Sequence, residues 1–218
     1  MLSRHNLVWL SPQGWQDAAD GAAPEHRPAL EKWRRNDWPA VVRRRDANAH
    51  ANEVCLGVPL PPDPASGQKL RITLRAQALE VVKSVPPLSL KSVLPSLPSP
   101  WREELTAFDN RAVGLVMRVY GSVALQVLTA QPYMTPTSDV DILFYPATSQ
   151  QLNAGLALLS FHATRLPLDG EIVFPSGQAV SWKEWLQAQA AAAHVLVKEA
   201  DSVHLAPPNA LLATLRQP

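Results

Sequence analysis

The chain holds one cysteine, Cys55, so no disulfide can form within it, and a reducing cytosol is the compartment expected. Charge of one sign is also lacking: 20 Lys and Arg against 19 Asp and Glu leave a net +1. That balance supplies no long-range field for nucleic acid or an anionic membrane. No apolar run approaches the roughly 20 residues of a membrane span. The opening MLSRHNLVWLSPQGW has neither the apolar core nor the small-residue cleavage site of a secretory signal. Aromatics are few, at 6%, although seven of them are Trp. Glycine is sparse, nine residues against 21 prolines. A soluble cytoplasmic protein, with one large domain or two small ones, is the expectation from the 218 residues.

Proline is what the chain has in excess, and 13 of the 21 fall in the first 100 residues. Apolar runs persist between them, so short strands punctuated by rigid turns fit better than disorder. The run VPPLSLKSVLPSLPSP, residues 85–100, is expected to be an extended connector, with a domain boundary near residue 95. Upstream, NLVWL, AVVRRR, EVCLGVPL and KLRITL read as strands and ALEKWRRN as a helical turn. Residues 1–95 are therefore expected to form a small β-rich domain. Downstream, Ser99-Pro100 opens a helix to about Gly114, LVMRVY is a strand ending at Gly121-Ser122, and VALQVLTA is a short helix. VDILFY is the next strand, and a helix follows with Leu152, Leu156 and Leu159 on one face. LDGEIVF and QAVSW form a hairpin, Ser181 and Glu184 a capping box, and VLVKEA with VHLA a second hairpin. The order predicts an α+β fold of α/β-like character over residues 96–218.

The chemistry concentrates in RVYGSVALQVLTAQPYMTPTSDVDILFY, residues 118–145. Asp139 and Asp141 are two apart on a strand, so both carboxylates leave the same face. Two such charges repel unless a cation lies between them. Hard carboxylate oxygens suit Mg²⁺, which takes one or two of them and leaves its other positions to water and phosphate. Gly121 and Ser122 stand where a strand gives way to a helix, whose first N–H groups and dipole favour anions. Together they make a phosphate cradle beside a metal platform. For a third carboxylate, metal ligand or general base, LPLDGEIVF offers Asp169 first and Glu171 second, again on one strand face.

The pattern GS…SDVDILF resembles the signature of the nucleotidyltransferase superfamily. The 16 residues between Ser122 and Asp139 exceed the usual gap. With Gln126, Thr129, Tyr133 and Ser138, that longer version is similar to one family, the malonate decarboxylase holo-acyl-carrier-protein synthases, or phosphoribosyl-dephospho-CoA transferases. RHNLVWL, VVRRR, DGEIVFPSGQAVSWKEW and VLVKEADSVHL extend the resemblance along the chain. It implies a nucleotidyltransferase-type C-terminal domain. It also implies transfer of the prosthetic group of triphosphoribosyl-dephospho-CoA to a serine of the apo acyl-carrier subunit of malonate decarboxylase, with release of pyrophosphate. Asp139, Asp141 and Asp169 would then hold Mg²⁺, Asp169 or Glu171 would deprotonate the serine, and Gly121 and Ser122 would hold the triphosphate. The alternatives are a minimal ATP-dependent nucleotidyltransferase acting on another protein or a small molecule, and a non-catalytic adaptor that binds the carrier.

Other residues divide between roles. Residues 27–45 carry seven Lys and Arg against Glu31 and Asp37, either a solvated basic face or one that reaches phosphate or an acidic carrier through Arg43, Arg44 and Arg45. Lys198, among apolar strand residues, is a candidate for the triphosphate, and Lys183, in a helix first turn, implies an anion nearby. Trp182 and Trp185 read as core, the six His show no metal-ligand spacing, and Cys55 reads as a buried apolar residue.

Overall fold

The structure, a computed structural model, describes residues 2–191 and 193–216. It divides into two compact units, one of Met1–Pro87 with Leu128–Tyr133, the other of Leu88–Val127 with Met134–Pro218. The chain thus passes between units at Pro87–Leu88, where a boundary near residue 95 was expected.

In the first unit the apolar run Leu7–Leu10 is strand β1, and Ser11-Pro12 starts α1 (Pro12–Asp20). The Ser11 hydroxyl accepts from Gly14 N at 3.0 Å, which satisfies a helix-end donor. Then follow α2 (Arg27–Arg35), β2 (Ala40–Val42), β3 (Glu53–Pro59), β4 (Arg71–Gln77) and β5 (Val81–Val85). The strands form an antiparallel sheet in the order β4-β3-β2-β1-β5. Alternation along β4 points Ile72, Leu74 and Ala76 inward, and Trp15 and Trp33 are buried in the same unit. Cys55 is buried, as its apolar surroundings require. The segment Leu128–Tyr133 is tied into this unit: the Tyr133 hydroxyl donates to Pro59 O at 2.7 Å and Lys32 Nζ to Gln131 Oε1 at 3.0 Å.

The second unit begins with β6 (Leu88–Ser89), α3 (Leu90–Val93) and α4 (Ser99–Arg111). The proline-rich run expected to be an extended connector is therefore folded. Its Leu90, Val93 and Leu97 belong to the unit's core, and the prolines fall at turns and helix starts, where a missing N–H costs nothing. Ser99 is the first helical residue of α4 rather than its cap, and Pro98 stands in the cap position. The remaining elements are β7 (Val116–Tyr120), α5 (Gly121–Thr129), β8 (Val140–Tyr145), α6 (Ser149–His162), β9 (Leu168–Val173), β10 (Ala179–Ser181), α7 (Trp182–Ala191), β11 (Val195–Lys198), β12 (Val203–Ala206) and α8 (Pro208–Leu212). The sheet order is β12-β11-β10-β9-β8-β7-β6, with β8 and β9 parallel and the other pairs antiparallel.

One face of this sheet is apolar. Met117, Val119, Ile142, Phe144, Ile172 and Val180 pack in one core with Phe108 of α4, Leu156 of α6 and Trp185 of α7. The α6–sheet contact is close: a β-carbon at Gly155 would fall 2.2 Å from the Phe144 ring. Thr148 caps α6, its hydroxyl accepting from Gln151 N at 3.1 Å. The Ser181–Glu184 capping box does not form in full, because the Glu184 carboxylate accepts from Leu196 N at 2.6 Å and so secures β11. Among the described residues no helix is long and apolar enough to cross a membrane. The architecture is α+β, with a helical layer on one side of a mainly antiparallel sheet.

Candidate active site

Strand alternation decides which residues meet. Val140, Ile142 and Phe144 turn to the helices, so Asp139, Asp141, Leu143 and Tyr145 belong to the opposite face. On β7 the same argument assigns Arg118 and Tyr120 to that face, on β9 Asp169 and Glu171, on β10 Ser181. Register lines them up in rows: Tyr120 pairs with Asp141 and Asp141 with Asp169, while Arg118 pairs with Leu143 and Leu143 with Glu171. Asp139, Asp141 and Asp169 thus share one face of the sheet where β8 and β9 begin and β7 ends.

Gly121 joins this group through its backbone. It adopts φ +68°, and α5 starts on it directly rather than after the Gly-Ser turn. A β-carbon there would fall 1.9 Å from Asp141 Oδ2, so the Asp141 carboxylate lies against the α-carbon of Gly121. Ser122 follows in the first turn of the helix. Gly170 does the same service between Asp169 and Glu171. At φ +133° its missing side chain lets β9 approach Ile142 O, which a β-carbon would meet at 1.9 Å.

The stretch between Ser122 and Asp139 is α5 followed by a loop with its own hydrogen bonds. Gln126 Oε1 accepts from Met134 N at 3.0 Å, and the buried Ser138 hydroxyl accepts from Thr135 N at 2.8 Å. Asp139 emerges from that turn as an exposed residue.

The two candidates for the third carboxylate are in different states. Asp169 is 43% exposed and in register with Asp141, with Lys183 Nζ 3.6 Å from Oδ1, so the first-turn cation does have its anion. Glu171 is buried and holds Lys198 Nζ at 2.8 Å. Lys198 is thereby committed to a carboxylate. Among the described residues no group of three or more His, Cys, Asp or Glu side chains is drawn together as a metal cage. The carboxylates nonetheless suit Mg²⁺, which needs one or two protein oxygens and completes its shell with water and phosphate.

Arg43 and Arg44 belong to the first unit. Arg43 donates from Nε to Leu56 O at 3.0 Å and from Nη2 to Asp46 Oδ2 at 2.7 Å, and Arg75 holds the same carboxylate at 2.9 Å. The hydrogen bond from Arg43, with Arg75 assisting, holds the Asp46 carboxyl well below the usual carboxylate range. Arg43 is therefore engaged structurally, while Arg44 is exposed. Trp182 and Trp185 are buried, as expected of core residues.

Two polar side chains of the acid-bearing face were not expected, Arg118 and Tyr145. Burial pushes the Tyr145 hydroxyl up; the charge of Arg118 opposes that shift and the charge of Glu171 adds to it. The signal lay in the apolar Met117 and Val119, whose alternation hands Arg118 to the other face.

A carboxylate set on one sheet face, abutting a helix that starts on a glycine, equips an α+β protein for group transfer to or from phosphate, which is the class of a transferase. The model of the phosphoribosyl-dephospho-CoA transferase MdcG N-terminal domain matches residues 3–87, and that of the C-terminal domain matches residues 89–209. The chain belongs to the phosphoribosyl-dephospho-CoA transferase family. A protein of that name from Xanthomonas campestris pv. campestris (strain 8004) is 40% identical over 215 residues, covering 97% of each chain. Another from Bradyrhizobium diazoefficiens is 35% identical over 209 residues, 93% of this chain and 88% of its own. No solved structure matches. With both domains of the transferase family present, neither a minimal nucleotidyltransferase nor a carrier-binding adaptor finds support.

Proposed function

We propose that this transferase moves the phosphoribosyl-dephospho-CoA unit from its triphosphate-activated donor to a serine of an apo acyl-carrier protein, that of malonate decarboxylase. The serine oxygen forms a bond to the phosphorus attached to the ribose. The bond from that phosphorus to the rest of the triphosphate breaks, diphosphate leaves, and the serine proton passes to the protein. The observation that carries the reading is the seating of Asp141 on Gly121, in register with Asp169, which brings carboxylates and a helix N-terminus to one point.

Asp139 and Asp141 are the residues to hold Mg²⁺, with Asp169 as a third ligand or as the base. When bound, Mg²⁺ supplies charge neutralisation at the transferring phosphate and at the leaving diphosphate. The start of α5 at Gly121 and Ser122 turns helix-end N–H groups and the positive end of the helix dipole towards phosphate oxygens. Asp169, half-exposed at the same strand ends and only loosely paired with Lys183 at 3.6 Å, takes the serine proton on a carboxylate oxygen. Glu171, committed to Lys198 behind it, keeps that row fixed rather than exchanging protons.

The test is incubation of the purified protein with apo carrier, triphosphoribosyl-dephospho-CoA and Mg²⁺, followed by mass spectrometry of the carrier. A mass increase equal to the transferred group on one serine is expected. An unmodified carrier, with the same preparation folded and the donor intact, overturns the reading.

A further inference from the structure

Three cations stand on the strands β7–β11 and at the start of α7: Arg118, Lys183 and Lys198. Lys198 is neutralised by Glu171 at 2.8 Å, and Lys183 lies 3.6 Å from Asp169. Arg118 differs. Among the described residues its guanidinium makes no hydrogen bond and no ion pair, although the residue is half-buried. A half-buried guanidinium without a carboxylate beside it is suited to an anion that a ligand supplies.

Its position says which ligand. Arg118 precedes Tyr120, the register partner of Asp141, by two residues on the same face, so it stands roughly 7 Å along the strand from the carboxylate row. Tyr145 is diagonal to it, and both Arg118 and Glu171 act on the Tyr145 hydroxyl, so the guanidinium lies over the sheet beside β8. Metal-holding carboxylates and an unpaired arginine, separated by the length of a short polyphosphate, match opposite ends of such a chain. The planar fork of Arg takes two phosphate oxygens at once, which a carboxylate-bound Lys198 cannot do.

We infer that Arg118 is the binding site for the terminal diphosphate of the donor, gripping the two phosphates that leave, while the phosphate attached to ribose lies at Gly121 and Asp141. This rests on the proposed reaction. Lys198, the basic strand residue that the sequence makes conspicuous, supports the site from behind through Glu171.

The test uses the full chain and inorganic triphosphate as the probe. Wild type, Arg118→Gln and Arg118→Lys are titrated with triphosphate in the presence of Mg²⁺ by calorimetry, and donor and carrier KM values are measured in parallel. Loss of a charge-assisted bidentate contact should weaken triphosphate binding about tenfold to a hundredfold in Arg118→Gln. Arg118→Lys should recover part of that, and added guanidinium should rescue Arg118→Gln. The donor KM should rise while the carrier KM and the melting temperature stay near wild type. Unchanged triphosphate affinity in Arg118→Gln overturns the inference, as does a wild type that binds no triphosphate. A raised carrier KM with unchanged triphosphate binding also overturns it, because Arg118 would then contact the carrier. If triphosphate binding depends on Arg118 but no carrier is modified, the reaction fails and the anion site stands.

Discussion

The carboxylate of Asp141 occupies the space where the side chain of residue 121 would stand: a β-carbon on Gly121 would fall 1.9 Å from Oδ2. Strand β8 and the start of α5 are thereby fixed to one another at the residue proposed to hold metal beside the phosphate. The positive φ of Gly121 is the second reason for glycine, since an L side chain there strains the backbone.

Gly121→Ala should cost about 1–2 kcal/mol from the left-handed backbone alone, and must also push Asp141 aside. A displacement of about 1 Å in a positioned group lowers turnover roughly a hundredfold. Melting curves and carrier modification check both effects. A variant with wild-type turnover would show that the contact with Asp141 has no bearing on transfer.

Asp169 and Glu171 should separate cleanly. Asp169→Asn removes a half-exposed carboxylate, so stability should shift by no more than about 0.5 kcal/mol, while transfer falls about 10²- to 10⁴-fold. Glu171→Gln leaves the Lys198 ammonium without its partner beside a buried amide. Because Lys198 is about a third exposed, the expected loss of stability is about 1–3 kcal/mol rather than that of a fully buried pair. Denaturant midpoints paired with turnover for each variant provide the check. The opposite pattern, with Glu171→Gln stable but inactive and Asp169→Asn active, would assign the base to Glu171.

Asp46 links stability to acid. Its carboxyl is held below the ordinary 3.8 by the hydrogen bond from Arg43, with Arg75 assisting, so the folded state keeps it ionised where the unfolded state protonates it. A depressed folded pKa contributes stability that is present above the unfolded value and is lost as pH falls through the usual carboxylate range towards the folded one. Asp46→Asn should therefore be about 1–2 kcal/mol less stable than wild type at neutral pH. The gap should narrow from about pH 4 downward. Urea midpoints across that range test it, and a gap that widens in acid contradicts the assignment.

The sequence made the acid pair and its partners legible because alternation and apolar flanks leave little freedom. Val140, Ile142 and Phe144 must face the helices, so Asp139 and Asp141 cannot. The parallel pairing of β8 with β9, which brings Asp169 beside Asp141, depends on register and not on local pattern. What local signals missed was tertiary. Residues 85–100 look like a connector because they hold five prolines, yet Leu90, Val93 and Leu97 find a core only this unit supplies. Lys198 looks like a phosphate ligand in isolation, and its carboxylate partner, Glu171, becomes visible only once the strands are paired, whereas Arg43 is taken by Asp46 three residues on in the same loop. The same pairing exposes Arg118, whose neighbours in sequence are all apolar or aromatic.

The last prediction concerns the 16 residues between Ser122 and Asp139. Gln126 holds this segment from within α5, its Oε1 accepting from Met134 N at 3.0 Å, five residues before Asp139. The chain then turns on the buried Ser138 hydroxyl, which accepts from Thr135 N. Gln126→Ala leaves Met134 N without its acceptor, a loss of about 1 kcal/mol, and frees the approach to Asp139. Turnover should fall about tenfold or more with little change in donor KM, since the group set loose is the one proposed to hold metal rather than the donor's far end. Gln126→Glu keeps an acceptor oxygen at the same reach and should retain most of the activity, whereas Gln126→Met, of similar length but without that oxygen, should behave like Gln126→Ala. Equal activity in Gln126→Met and Gln126→Glu would mean that the side chain merely fills space and that Asp139 is positioned by the Ser138 turn alone.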